Sequence, residues 1–170
     1  PATGPDELVA AAETARYRAQ ELGRARVEVH DAASRTSADE KLRLLVDLQT
    51  DFDHNRLAMH YQPIVRLSDS VPTGVEAFMR WNHRSLGPIS PATFIPIAED
   101  GGLMPRLGRW SLKRACADVM GLPHAQTDTW RLAVNLSTRQ LSDDGVVDVV
   151  LDTLRESGLP AQRLLLEVTE

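Results

Sequence analysis

Apolar and polar residues alternate along this 170-residue chain in two different periods. Runs in which every second residue is apolar predict strands, whereas apolar residues three and four apart predict helices. The strand pattern occurs at four places: residues 57–67, 75–81, 130–136 and 164–168. The helical pattern occurs before and between them: residues 39–55, 91–100, 104–120 and 143–157.

Alternating strands and helices with short connections favour a parallel sheet covered by helices, which is an α/β fold. A closed (β/α)8 barrel needs eight strands and typically about 250 residues. The four strands within residues 57–170 amount to about half of one, so we expect a partial (β/α)8, TIM-like barrel. Its last strand would present an unpaired edge, which favours dimerisation or aggregation.

The first part of the chain reads as a separate region. Residues 6–22 have helical spacing, and residues 26–30 alternate like a strand. One helix and one strand cannot bury a core, so we expect them to close an upstream domain. The small polar stretch D-A-A-S-R-T-S-A at residues 31–38 predicts a linker. The predicted segments are an upstream remnant, a linker with its helix, and the partial barrel: residues 1–33, 34–56 and 57–170.

Charge and cysteine content narrow the class of protein. The formal net charge of −5 argues against long nucleic acid as a partner, because phosphate contacts need basic surface. The single cysteine, Cys116, allows no internal disulfide and lies on the apolar side of a predicted helix, which predicts an inert core thiol. The chain has no apolar run near the roughly 18 residues of a membrane span, and its start is not a signal peptide. We expect a cytoplasmic location, with membrane anchoring left open for a longer parent protein.

Three polar side chains interrupt the predicted apolar strands: Glu76, Asn135 and Glu167. Burying an unpaired carboxylate or amide is costly, so such residues suggest a functional site. If their strands are neighbours, the two carboxylates and the amide converge into an all-oxygen ligand set. That set favours Mg²⁺ or Mn²⁺ over zinc, which usually takes His or Cys. Each residue alone also has a structural explanation: an ion pair for Glu76, a strand-end hydrogen bond for Asn135 and a solvated strand end for Glu167.

Two further polar residues lie on the first two predicted strands. Arg80 shares a face with Glu76, because residues an even number apart on a strand point the same way, and its planar fork suits a phosphate. Gln62 could orient a ligand through its amide. Arg80 could instead form a structural ion pair with Glu76. Together these residues predict a site for a divalent ion and a phosphate ester.

Six ordered sequence blocks within residues 57–170 carry a family resemblance: Y-Q-P-I-V, G-V-E-A-F-M-R-W-N-H, P-A-T-F-I-P-I-A-E, L-G-R-W, V-N-L-S-T-R-Q-L and L-L-L-E-V-T-E. In content, order and spacing they resemble the first half of EAL-type cyclic-di-GMP phosphodiesterases. Residues 6–30 resemble, more weakly, the closing helix and strand of a GGDEF (diguanylate cyclase-type) domain. They carry no cyclase signature, so we predict no cyclase activity for this chain.

The resemblance implies a modified strand-helix barrel whose first strand runs antiparallel to the others. It implies hydrolysis of cyclic-di-GMP to linear pGpG at a two-metal site of Mg²⁺ or Mn²⁺. By the same resemblance Glu76, Asn135 and Glu167 are metal ligands, and Arg80 and Gln62 contact the substrate. Glu170 matches a glutamate that supports a loop near the metals.

Two departures from the family pattern stand out. Phe78 replaces the usual leucine beside Glu76, and Arg84 replaces the usual proline. The family's remaining catalytic residues and second-metal ligands belong to its second half, so we expect residues 1–170 alone to be inactive. The alternative is a degenerate EAL domain that binds cyclic-di-GMP or a protein partner without turnover. A homodimer through this domain is a further expected assembly.

Overall fold

The computed structural model describes Val9 and residues 32–122, 130–142 and 145–169. The chain divides into two compact units, Pro1–Leu44 and Leu45–Glu170. The second unit contains the whole sheet and every predicted site residue, so the site is described within that unit alone.

Six helical segments occur in the described residues: α1 (Ala32–Asp53), α2 (Pro91–Asp100), α3 (Met104–Met120), α4 (Thr138–Leu141), α5 (Val146–Ser157) and a 3-10 turn (Ala161–Arg163). Five strands occur in the same part of the chain: β1 (Leu57–Val65), β2 (Pro72–His83), β3 (Gly87–Ile89), β4 (Arg131–Ser137) and β5 (Leu164–Thr169). The four strands and four helices predicted within residues 39–168 are therefore present. The helices at 91–100 and 104–120 have the predicted ends, and the other elements have shifted ends.

The stretch predicted as a linker at residues 31–38 is not an irregular loop, because α1 begins at Ala32. This stretch has no Gly or Pro, and a helix propagates through Ala, Arg and Ser at small cost once it has nucleated. Small polar residues are typical of loops but equally compatible with a helix that has a polar face. The helix predicted at residues 6–22 and the strand predicted at 26–30 lie outside the described residues, except for Val9, which is helical.

The sheet is mixed, with the strand order β1-β2-β4-β5 and β3 beside the end of β2. β1 and β2 are antiparallel, whereas β2 with β4 and β4 with β5 are parallel. The turn between β1 and β2 is closed by hydrogen bonds between Arg66 and both Ser70 and Val71, and so short a connection can only join antiparallel strands. The predicted α/β partial barrel and its antiparallel first strand are confirmed.

The short strand β3 was not predicted from the sequence. It pairs with the end of β2 in an antiparallel hairpin, with Trp81 opposite Ile89 and His83 opposite Gly87. Three residues are too few to show a period of two, and Pro88 in the middle argues against a strand. β3 is tolerated because it lies beside the end of β2, beyond the part that pairs with β4.

The core lies between one face of the sheet and helix α3. Its buried residues come from β2, from β4, from α3 and from the loop after α5: Val75, Ala77, Leu132, Val134, Leu112, Ala115, Cys116, Val119 and Leu159. Cys116 is fully buried, as predicted for a core thiol, and this burial raises the pKa of its thiol to about 11. Since alternate strand residues point to opposite faces, the residues between the core positions of β2 and β4 are left for the other face.

Helix α1 is attached to the end of β2 through a buried carboxylate. Asp51 is 1% exposed, and its Oδ2 accepts a hydrogen bond of 3.0 Å from the indole Nε1 of Trp81. Its Oδ1 lies 3.3 Å from the guanidinium of Arg56. The Asp51 carboxylate therefore accepts a hydrogen bond from the buried Trp81 indole and is neutralised by an ion pair with Arg56.

A second carboxylate of α1 contacts the β2–β3 turn. The Nδ1 atom of His83 accepts hydrogen bonds from the backbone of Ser85 and Leu86, and its Nε2 lies 3.2 Å from Asp47 Oδ2. Arg84 also pairs with Asp47. The adjacent His83 and Arg84 hold the pKa of the Asp47 carboxyl below its ordinary value. Arg84, a departure from the family pattern, thus has a structural partner in this chain.

We expect Asp51→Ala to lower the free energy of unfolding by about 2–4 kcal/mol, because it leaves the Trp81 indole donor buried without a partner. Asp53→Ala is the matched control, since it removes an exposed pair with Arg106 and should cost under about 1 kcal/mol. Urea unfolding followed by tryptophan fluorescence measures both. Equal costs for the two variants would contradict the anchoring role of Asp51.

Candidate active site

The three predicted metal ligands lie on one face of the sheet. In the parallel pairing of β2 with β4, Glu76 is opposite Ala133, two residues before Asn135. In the pairing of β4 with β5, Asn135 is opposite Glu167. Residues that pair across neighbouring strands point to the same face of the sheet, and so do residues two apart on one strand. The side chains of Glu76, Asn135 and Glu167 therefore lie on one face, opposite the face that packs on α3.

Glu76 and Asn135 are in direct contact. The Nδ2 atom of Asn135 donates a hydrogen bond of 2.9 Å to Oε1 of Glu76. Both side chains are half-buried, whereas Glu167 is exposed. An amide bears its donor hydrogens on nitrogen, so the Oδ1 of Asn135 remains an acceptor for another ligand. The hydrogen bond to Glu76 orients the Asn135 amide so that its Oδ1, and not its Nδ2, is available to a ligand.

Arg80 lies further along the same face of β2, packed against Phe78. Its guanidinium carbon lies 5.2 Å from the centre of the Phe78 ring, within the range of a cation–π contact. Its Nη1 donates to the backbone carbonyl of Met79 at 3.0 Å. In the described structure Arg80 makes these two contacts and does not form the alternative ion pair with Glu76. Phe78 therefore supports the guanidinium through its ring.

Gln62 lies on β1 directly opposite Glu76. Directly opposed residues of an antiparallel pair project to the same face with Cβ atoms roughly 5 Å apart. Gln62 is exposed, so its amide is accessible to a ligand on that face. Glu170, the predicted loop support, lies outside the described residues.

A cavity of 390 Å³ opens where β2 and β4 separate beyond Ala77 and Val134. It is lined by Phe78 and Arg80 on one strand and by Asn135 and Ser137 on the other, with α2, α3 and α4 completing the wall. This is the carboxyl end of both strands, where ligands bind in barrels of this type. The predicted site residues Arg80 and Asn135 therefore share one cavity.

Two residues that close the turn after Asn135, Ser137 and Gln140, were not predicted from the sequence as part of the site. The Oγ of Ser137 accepts from the Gln140 backbone at 3.3 Å, and the Oε1 of Gln140 accepts from the Ser137 backbone at 3.1 Å. This reciprocal arrangement is a capping box, whose signature is Ser or Thr followed three residues later by Glu or Gln. That spacing is visible in N-L-S-T-R-Q and could have been found from sequence.

Comparison with known proteins places the second unit in a family. The family model for the EAL domain matches residues 45–170. An uncharacterised signalling protein of Caulobacter vibrioides is 40% identical over 165 residues, which are 97% of this chain and 20% of that protein. MucR of Pseudomonas aeruginosa, named a bifunctional diguanylate cyclase/cyclic di-GMP phosphodiesterase, is 38% identical over 96% of this chain and 24% of its own length. The chain thus spans about a fifth to a quarter of these curated relatives.

Solved structures show the same relationship. The MucR phosphodiesterase in complex with c-di-GMP superposes with a TM-score of 0.71 at 39% identity, covering 75% of this chain and 52% of that one. The EAL domain of FimX from Xanthomonas citri in complex with c-di-GMP gives a TM-score of 0.65 at 27% identity, covering 80% of this chain and 52% of that one. The family match extends over the unit that holds the sheet and the site, so the chain belongs to the EAL domain family.

Proposed function

We propose that this domain is part of a phosphodiesterase that hydrolyses cyclic-di-GMP to linear pGpG. Its support is the family membership, the phosphodiesterase name of MucR and the c-di-GMP complexes of its structural neighbours. The observation that carries the proposal is the hydrogen bond between Asn135 and Glu76 on the face that also bears Arg80. It joins two candidate oxygen ligands from adjacent strands, beside the cavity that Arg80 and Asn135 line.

The donor set fits a hard divalent cation. Glu76 and Glu167 offer carboxylate oxygens, and Asn135 offers Oδ1 because its Nδ2 is already bound to Glu76. The described residues contain no cluster of three or more His, Cys, Asp and Glu side chains, so a site here depends on the amide. Oxygen ligands favour Mg²⁺ or Mn²⁺, which activates water and neutralises phosphate charge when bound. We assign these three residues to one ion, and propose that a second ion of the family's site takes its ligands elsewhere.

Arg80 and Gln62 are the proposed substrate contacts. A guanidinium can bind a phosphodiester through two parallel hydrogen bonds. Because Arg80 already packs on Phe78, its side chain loses less conformational entropy when it binds a ligand. Gln62, opposite Glu76 on β1, presents an amide to the same face. Glu170 keeps its proposed role as loop support.

A second candidate function is binding of cyclic-di-GMP without turnover. Phe78, in place of the usual leucine, lines the cavity on the same strand as Glu76. Its ring is larger than a leucine side chain and leaves a ligand less room there. A bound nucleotide held away from Glu76 and Asn135 would not be hydrolysed. The two functions are distinguished by measuring binding and pGpG formation on the same sample.

Several earlier predictions remain proposals. They are the domain limits 1–33, 34–56 and 57–170, the GGDEF origin of the first segment, the homodimer and the inactivity of residues 1–170 alone. No helix in the described part of the chain has the length and apolar character to span a membrane. Formation of pGpG by the 170-residue chain in Mg²⁺ or Mn²⁺ would refute the predicted inactivity.

We expect Glu76→Gln, in a protein that also contains the second half of the domain (the full-length protein), to reduce cyclic-di-GMP hydrolysis at least about a hundred-fold, because it removes a charged ligand of the proposed ion. Glu156→Gln is the matched control, since it removes one charge from an exposed pair with Lys113. Chromatographic measurement of pGpG gives both rates. A Glu76→Gln enzyme as active as the control would remove Glu76 from the site.

Arg80→Ala should weaken cyclic-di-GMP binding by about tenfold or more, because charge-assisted hydrogen bonds contribute about 1.5–3 kcal/mol each. Arg80→Lys should recover part of the affinity, since it keeps the charge but not the planar fork. Isothermal titration calorimetry measures the dissociation constants. The control is Arg66→Ala, which removes an exposed cation paired with Asp69 in the β1–β2 turn. Unchanged affinity in Arg80→Ala would exclude a direct substrate contact.

Asn135→Leu should weaken Mn²⁺ binding, because it replaces the amide oxygen with a similarly sized apolar group. Electron paramagnetic resonance of free Mn²⁺ measures the affinity without requiring turnover. Gln49→Leu removes an exposed amide on α1 and serves as the control. Equal Mn²⁺ affinities in the two variants would contradict the assignment of Asn135 as a ligand.

A further inference from the structure

The end of β4 is fixed by the turn into α4. Ser137, the last residue of the strand, and Gln140 exchange two hydrogen bonds in the capping box. Arg139, which lies between Ser137 and Gln140 in the chain, donates to the Glu99 carbonyl at 2.6 Å and lies 3.1 Å from the Asp100 carboxylate. These contacts therefore fix the backbone of β4 at Ser137, two residues after Asn135.

Gln140 reaches this geometry by lying directly against Gly108 of α3. Gln140 is only 9% exposed, although it belongs to a four-residue helix. A methyl group on residue 108 would overlap the Nε2 atom of Gln140 and lie 2.7 Å from its Cδ. A side chain on residue 108 would therefore have to displace the Gln140 amide, which is the far end of a flexible side chain.

Gly108 has no conformational reason to be glycine. It lies inside helix α3, where glycine costs about 1 kcal/mol relative to alanine. It is absent from the glycines with positive φ, which are Gly87, Gly102 and Gly158 in the described residues. The close approach of Gln140 is the physical reason for glycine at this position.

We propose that Gly108 and Gln140 are positioning residues that hold Asn135 against Glu76. Both residues line the cavity that Asn135 and Arg80 share. Displacing the Gln140 amide would break its bond to the Ser137 backbone and release the end of β4. The hydrogen bond of 2.9 Å between Asn135 and Glu76 depends on that strand end, two residues away. The consequence for catalysis rests on the proposed phosphodiesterase function.

The test is a double-mutant cycle on the full-length protein with Gly108→Ala, Gln140→Ala and both together. Gly108→Ala should lower kcat for cyclic-di-GMP about tenfold or more, since even a small displacement of the groups in an active site lowers the reaction rate by a large factor. In the Gln140→Ala background the same change should have little further effect, because the overlapping amide is gone. Gly121→Ala, at the end of the same helix with its nearest contact at 3.4 Å, should be neutral.

Hydrogen exchange separates positioning from general destabilisation. Gly108→Ala and Gln140→Ala should each accelerate exchange in the peptide containing residues 135–141, where the Ser137 amide loses its acceptor, and leave the core of α3 protected. Ser137→Ala removes the Oγ that accepts from the Gln140 backbone and introduces no overlap, so the protein should fold. It should also accelerate exchange in the peptide containing residues 135–141 and leave the rest of the domain protected. Acceleration spread over the whole domain would overturn the proposal.

Two further outcomes complete the test. Wild-type kcat in Gly108→Ala, or an undiminished Gly108→Ala penalty in the Gln140→Ala background, would overturn the coupling between the two residues. If the wild-type protein neither binds nor hydrolyses cyclic-di-GMP, the proposed function fails. The exchange measurements would still decide, independently, whether Gly108 and Gln140 fix the end of β4.

Discussion

The parallel pairing of β2 with β4 is the constraint on which both the core and the candidate site depend. Its register sets Gly74 opposite Arg131 and Ala77 opposite Val134. A methyl group on Gly74 would overlap the carbonyl oxygen of Arg131, so the glycine permits this close approach. Because strand side chains alternate, a slip of one residue would exchange the core face for the site face on the whole strand. The α3 core therefore enforces the placement of Glu76 and Asn135.

The site face tolerates polar groups because each described one has a defined partner or access to solvent. Asn135 binds Glu76, Arg80 packs on Phe78 and binds the Met79 carbonyl, and Glu167 is exposed. Beside the end of β2 the buried Asp51 is balanced by an indole donor and a guanidinium. Buried polar groups are costly when unpaired, so these contacts specify one arrangement of the strand ends and of α1.

The candidate site was predictable from the sequence to the extent that it follows from strand periodicity. Alternation alone assigns Glu76 and Arg80 to one face, and pairing of the strands in barrel order adds Asn135 and Glu167. The capping box of Ser137 and Gln140 was also readable but was not predicted. The contact of Gln140 with Gly108 was not readable, because it joins residues of two different helices that are 32 positions apart in the chain.

By itself the sequence determined the order of the four longer strands and of the four longer helices, the face on which each polar residue lies and the EAL relationship, since these depend on local periodicity and ordered motifs. It did not determine the start of α1, because small polar residues fit a loop and a helix equally well. Only the tertiary structure decided that Asp51 accepts from Trp81, that Arg80 packs on Phe78, and that β2 and β4 separate into a cavity. These outcomes depend on distances between elements, and such distances are fixed by packing of the whole core rather than by any local stretch of residues.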